Sequence, residues 1–299
     1  MARRFASLPI LGYELWNEPW AGDVWSHPSY LLPGNAGRQN LLPLYDKLAA
    51  GIAEYDNQSL IFFEPVTWGM FSSSAYLGSG FDRIPNATQA RAVLSFHYYC
   101  WFFNLPNNIQ KEGCDDLLAP DIFDAVWKDM REIGAVPFMT EWGSGPCSNC
   151  CDPSSPSGLA ICYRNMELAD KHFTSWTEWD WGCGDLLNGW KVNATVLELF
   201  ARPYPQATAG IPQLLTFHPL RKLFDFCFTL NTSISAPTLL SVPFDVQYAS
   251  GYNMTCSPGL SCAANETTNR VVAFPTKGAA DGGQLCIHIS PVNLTSLSE

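Results

Sequence analysis

Five short apolar runs, spaced by stretches of helical periodicity, constrain this chain more than any other feature. The runs are Leu8–Glu18, Leu60–Val66, Arg91–Tyr99, Val136–Trp142 and Phe173–Trp181. Most are apolar almost throughout rather than alternating, which suits strands buried on both faces of a parallel sheet. Between them, Asn40–Tyr55 repeats Leu41, Leu44, Leu48 and Ile52 at helical spacing. Asp121–Ile133 sets Ile122, Ala125, Val126, Met130 and Ile133 on one face, and Gly158–His172 reads as a further helix. Strand and helix in alternation predict an α/β fold with helices covering a parallel sheet. A last helix is expected from Val196 to Ala201, closed by Arg202-Pro203-Tyr204-Pro205.

Polar and aromatic side chains gather at the C-terminal ends of these runs: Glu18, Glu64, His97, Tyr99, Glu141 and Trp179. That end is where a (β/α)₈ barrel keeps its chemistry. Five strands are too few to close such a barrel, so residues 1–210 are expected to be its C-terminal part, about strands 4–8. From about Ile211 the helical pattern stops. Short β-type runs alternate with Pro, Gly, Asn and Ser turns: Leu214–Phe217, Phe224–Leu230, Leu239–Val242, Val271–Phe274 and Leu285–Ile289. Residues 211–299 are therefore expected to form a small antiparallel β-sandwich.

Two carboxylates stand out. Glu18 lies in Tyr13-Glu14-Leu15-Trp16-Asn17-Glu18-Pro19-Trp20-Ala21-Gly22-Asp23, and Glu141 in Phe138-Met139-Thr140-Glu141-Trp142-Gly143. A pair of acids at neighbouring strand tips is what hydrolysis of a glycosidic bond requires. One protonates the leaving oxygen, and the other attacks or stabilises the oxocarbenium-like centre. A general acid needs its pKa raised towards ~6 by apolar walls or a neighbouring negative charge; Trp16, Trp20 and Glu141 are candidates to do this to Glu18. The plainer alternatives are a Glu that caps a turn and a charge at a barrel rim.

Composition narrows the setting. A net charge of −11 argues against nucleic acid and anionic surfaces as partners. No segment reaches the ~18 uninterrupted apolar residues of a membrane span, so no stable membrane insertion is expected. Seven Asn-X-Ser/Thr sites occur, at Asn57, Asn86, Asn193, Asn231, Asn253, Asn265 and Asn293, with 11 cysteines. Both point to the secretory pathway, secreted or lysosomal. Cys147, Cys150, Cys151 and Cys162 cluster, as do Cys256 and Cys262, and disulfides are favoured over zinc because no second clean pair is present. The N-terminal residues include Arg3 and Arg4 but no apolar signal-peptide core, so a portion ahead of Met1 is expected.

The segment from Gly12 to Asp23 closely resembles the acid/base segment of endoglycoceramidases in glycoside hydrolase family 5. Asn17-Glu18-Pro19 alone marks the wider clan; the Trp20-Ala21-Gly22-Asp23 continuation is far more particular. Three further segments match in order: Ser95-Phe96-His97-Tyr98-Tyr99, Met139-Thr140-Glu141-Trp142-Gly143, and Ala201 to Gly210. The resemblance implies hydrolysis of the β-linkage between oligosaccharide and ceramide in glycosphingolipids, with no cofactor and no metal. It implies Glu18 as acid/base and Glu141 as nucleophile. Tyr99 would donate to the nucleophile and keep its pKa low, His97 would orient the site, and Asn17 would contact the sugar 2-hydroxyl. Trp179 would floor the sugar subsite, with Trp176 as its rival. The lipid substrate implies transient contact with a lipid surface, and Trp101-Phe102-Phe103 is a candidate lining for the lipid chain, equally readable as core. Glu64 is expected in a structural salt bridge, Asp23 is expected to order its loop, and Glu178 is given no role. Two other readings remain: a β-glucosidase acting on glucosylceramide or steryl glucoside, and an inactive glycan-binding fragment.

Overall fold

The computed structural model describes residues 1–66, 78–99, 113, 119–143, 156–179, 187–188 and 191–292. In the first of two compact units, Met1–Trp181, strands β1 (Gly12–Glu14), β2 (Leu60–Phe63), β3 (Ala92–Tyr99), β4 (Val136–Gly143) and β5 (Ser175–Trp176) form one sheet in sequence order. Every neighbouring pair is parallel. Helices Leu42–Ala53, Ala119–Ile133 and Pro156–Lys171 lie between successive strands, the crossovers that parallel pairing demands.

Burial on both faces explains the unbroken apolar runs. Seven of the eight residues of β3 are buried, and Ile61, Phe62 and Phe63 of β2 are buried with them. Helix Ala119–Ile133 turns Ile122, Phe123, Val126, Met130 and Ile133 inward, and the Phe123 ring meets Phe96 of β3 edge-on at 5.6 Å. Gly134 follows at φ +75°, the left-handed conformation that ends helices. Two strands are shorter than their runs predict. Leu8–Glu18 supplies only Gly12–Glu14, because the chain turns away to bring Glu18 to a left-handed φ of 45°. Among the described residues of Phe173–Trp181, which end at Trp179, the strand takes Ser175–Trp176.

The second unit, Gly182–Glu299, begins with the hairpin β6 (Leu187–Asn188) and β7 (Lys191–Val192) and the helix Ala194–Phe200, N-capped by the Asn193 side chain. Then follow β8 (Tyr204–Ala207), β9 (Gly210–His218), β10 (Leu223–Leu230), β11 (Thr238–Ser241), β12 (Tyr252–Cys256), β13 (Leu260–Asn265), β14 (Arg270–Pro275) and β15 (Gln284–Pro291). They form two four-stranded sheets, β12-β15-β10-β9 and β13-β14-β11-β8, antiparallel throughout. Phe224, Phe226, Phe228, Val271, Ala273, Ile287 and Ile289 are buried. Cys227–Cys286 ties the facing residues of β10 and β15, and Cys256–Cys262 links one sheet to the other.

All five β-type runs expected here are strands. Three others, β8, β12 and β13, carry Pro, Asn, Met, Ser or Ala where strand-forming residues would announce them. Because β8 pairs with β11, the two-sheet structure begins at Tyr204, ahead of the boundary expected at residue 210. Cys162 is buried in helix Pro156–Lys171, whereas Cys147, Cys150 and Cys151 lie outside the described residues. Among the described residues no helix is long and apolar enough to cross a membrane.

Candidate active site

Parallel order brings the C-terminal ends of β1, β2, β3 and β4 side by side, and with them Glu18, Glu64, His97, Tyr99 and Glu141. Glu18 sits four residues beyond β1. Its backbone N–H donates to Glu64 Oε2 at 2.7 Å, from the residue that follows β2. Glu64 is itself anchored, since the fully buried Tyr45 donates its hydroxyl to the Glu64 carbonyl at 2.8 Å. Past Glu18 the loop is pinned twice. Asn40 donates to the Ala21 carbonyl at 2.8 Å, and Asp23 accepts from the N–H groups of Trp25 and Ser26, as expected of it. Gly22, at φ +103°, leaves no room for a Cβ, which would meet Asn40 at 2.4 Å.

A register shift between Phe96 and His97 interrupts the pairing of β3 with β4 and sets His97 opposite Glu141. Such bulges re-aim side chains. His97, nearly fully buried, places Nδ1 2.9 Å from Glu18 Oε1 and 3.5 Å from Glu141 Oε2. Tyr99 donates its hydroxyl to Glu141 Oε2 at 2.6 Å, the bond expected of it. One carboxylate oxygen of Glu18, one of Glu141 and a ring nitrogen of His97 all lie within 4.8 Å of one another. This suits two carboxyls about 5–5.5 Å apart, the retaining geometry, and is closer than the ~6.5–9.5 Å that leaves room for an inverting water. The Glu18 side chain is 42% exposed and that of Glu141 16%, so both are reachable from solvent.

The electrostatics sort these groups. Burial pushes the Glu64 carboxyl up to about 9; the Glu18 N–H opposes this, and the charges of Glu14, Glu18 and Glu141 add to it. Its burial therefore favours the neutral form of Glu64. The cationic group within reach of it among the described residues is His97, with Nδ1 3.6 Å from Glu64 Oε1; no lysine or arginine pairs with it there, and the Glu18 N–H supplies its hydrogen bond. Burial, then the hydrogen bond to Glu141, drives the Tyr99 phenol far upward, so it stays a donor. The charge of Glu178 also acts on Tyr99. That side chain, given no role from the sequence, thus lies near the site.

Asn17, Trp16 and Trp20 are exposed around Glu18, the two indoles at 53% and 60%. Trp179 is 56% exposed and donates its backbone N–H to the Trp142 carbonyl. Trp176 is half-buried and packs edge-on against Trp142 at 5.5 Å, so Trp179 is the more open of the two rivals. Trp101-Phe102-Phe103 lies outside the described residues. The carboxylates and His97 also have the spacing of a metal-ligand group. The hydrogen bonds on Glu141 from Tyr99 and on Glu64 from Glu18 fit acid–base work instead.

Residues 1–185 match the sequence profile of cellulase (glycosyl hydrolase family 5), and residues 202–289 that of the glycoside hydrolase family 5 C-terminal domain. Among curated proteins, an endoglycoceramidase of Cyanea nozakii is 29% identical over 88% of this chain and 50% of its own length. An endoglycoceramidase of Hydra vulgaris is 30% identical over 86% and 46%. The chain thus spans about half the length of the curated relatives it matches. In fold it resembles endo-glycoceramidase II from Rhodococcus sp., solved as a lactosyl-enzyme intermediate (TM-score 0.75, 19% identity, 98% of this chain and 61% of that one). The same enzyme solved as a ganglioside GM3 complex has a TM-score of 0.74 at 20% identity, again over 98% and 61%.

Proposed function

The chain belongs to glycoside hydrolase family 5, and from that premise we propose that it cleaves the β-glycosidic bond between oligosaccharide and ceramide with retention. One observation carries the mechanism: carboxylate oxygens of Glu18 and Glu141 lie within 4.8 Å of each other. In the first step the Glu141 carboxylate attacks the anomeric carbon while Glu18 gives its proton to the departing ceramide oxygen. In the second, Glu18 takes a proton from water, and that water displaces Glu141 from the sugar. Atoms balance with water alone, so this reading calls for no metal and no organic cofactor. Its target is supported by the relatives, which are named endoglycoceramidases, and by the structural neighbour solved with ganglioside GM3.

The remaining residues take roles that follow from their placement. Tyr99 orients Glu141 through its 2.6 Å bond, and His97 does the same for Glu18 at 2.9 Å. Asn17, beside Glu18, meets the sugar 2-hydroxyl, and the open face of Trp179 stacks under the ring. The five parallel strands are read as the fourth to eighth of a (β/α)₈ barrel, whose C-terminal ends carry the chemistry. Transport through the secretory pathway is supported by two disulfides and the Asn-X-Ser/Thr sites. A fall in mass on enzymatic removal of N-glycans tests it.

Incubation with lactosylceramide, followed by mass spectrometry of the water-soluble product, tests the reaction itself. Intact lactose is expected. Glucose from glucosylceramide with no lactose from lactosylceramide would favour a β-glucosidase instead. Tyr99→Phe removes a charge-assisted hydrogen bond and should lower kcat about 10-fold or more, with KM nearly constant. Steady-state kinetics on an aryl β-lactoside measures this.

A further inference from the structure

We propose that Glu64 is a positioning residue: through the Glu18 N–H it fixes the left-handed backbone at Glu18 and so aims the Glu18 carboxyl at the bond to be cleaved. The proposal rests on the reading of Glu18 as the acid/base. Glu18 is not a glycine, yet its φ is 45°, a conformation that costs energy and persists only where the surroundings enforce it. The enforcing contact is the 2.7 Å bond from Glu18 N to Glu64 Oε2. Glu64 can serve as a fixed anchor because its side chain is 1% exposed and its own backbone is held by Tyr45.

The charge environment says in which form Glu64 works. Facing it are Glu14 at the end of β1, Glu18 beyond it, Tyr45 on helix Leu42–Ala53, His97 on β3 at 3.6 Å and Glu141 on β4. An ionised Glu64 would add negative charge to a cluster that already holds Glu14, Glu18 and Glu141. Kept protonated, Glu64 lends its second oxygen as an acceptor without adding charge, and Glu141 can be the anion that attacks. Glutamine reproduces that neutral acceptor; leucine fills similar space and offers none.

Two variants in the full chain, assayed on an aryl β-lactoside, test this. Glu64→Leu should lower kcat about 10–100-fold with KM nearly constant, because the Glu18 N–H loses its partner. Glu64→Gln should stay within about threefold of the parent, since the acceptor survives. In the Glu18→Gln background, Glu64→Leu should cost little more, because the residue acts through Glu18. A Gln variant as poor as the Leu variant, or a Leu loss that persists in full without Glu18, would overturn the proposal.

Two readouts need no turnover. Infrared spectroscopy at pH 7 should show the carbonyl stretch of a protonated carboxyl that vanishes in Glu64→Gln; its absence from the parent overturns the proposal. That band in a protein that cleaves no β-glycoside would sink the glycosidase reading alone. The second readout is stability against pH. The folded carboxyl titrates at about 9 against an ordinary 4.5, so its contribution is complete below about 4.5 and is lost as pH rises through 9. Thermal unfolding midpoints should decline across that window in the parent and more gently in Glu64→Gln. Equal slopes would overturn the neutral form.

Discussion

Glu141→Gln should abolish turnover, lowering kcat by about 10⁴-fold or more, the scale of losing a nucleophile that works in concert with its neighbours. The amide is nearly isosteric, and its carbonyl oxygen can still accept from Tyr99, so the fold should survive. What it lacks is the negative charge and the lone pair that form the bond to the anomeric carbon. Substrate should still bind, because Trp179 and Asn17 are untouched. The check is a paired measurement: no product by mass spectrometry, with glycan affinity and unfolding temperature close to those of the parent. Full activity in this variant would end the assigned mechanism.

Glu18→Gln should cost about 10²–10⁴-fold on a natural glycolipid, the usual worth of general acid catalysis. The size of the loss should depend on the leaving group. Ceramide departs as an alkoxide unless it is protonated, whereas an activated phenol needs little help. An aryl glycoside with a good leaving group should therefore form the glycosyl-enzyme at close to the parental rate and then stall, since Glu18 must also activate the incoming water. A burst of phenol followed by slow turnover, with retained glycosyl-enzyme detected by intact-protein mass spectrometry, is the expected signature. Equal losses on both substrates would argue that Glu18 is not the acid. His97 adds a constraint, because its 2.9 Å contact holds the Glu18 carboxyl from the side away from solvent.

Much of this site is legible in the sequence. Glu18 and Glu141 stand out because a lone acid at the end of an apolar run is costly unless it has a purpose. The Tyr99 bond to Glu141 was implied by the family resemblance, and strands that run parallel and end together bring it about. Glu64 was legible only in part: a buried carboxyl signals a cationic partner, and His97 lies 3.6 Å from it, but its hydrogen bond comes from a backbone N–H that no sequence pattern records. Glu178 carried no role in the sequence, since a two-residue strand at Ser175–Trp176 leaves the direction of later side chains to the chain path beyond it. The strands β8, β12 and β13 escaped notice because their pairing partners, rather than their own residues, make them strands.

Local order was written in the chain: apolar runs for buried strands, helical spacing between them, alternation in the second unit, and two acids at strand ends. Those depend on propensity and burial, which act over a few residues at a time. Tertiary structure alone decided that Glu18 adopts a left-handed backbone, that burial pushes the Glu64 carboxyl upward, and that a bulge at His97 sets a ring nitrogen near both Glu18 and Glu141. Each is a balance of desolvation, charge and hydrogen bonding among groups far apart in the chain, and that balance exists only once folding has brought them within a few ångströms.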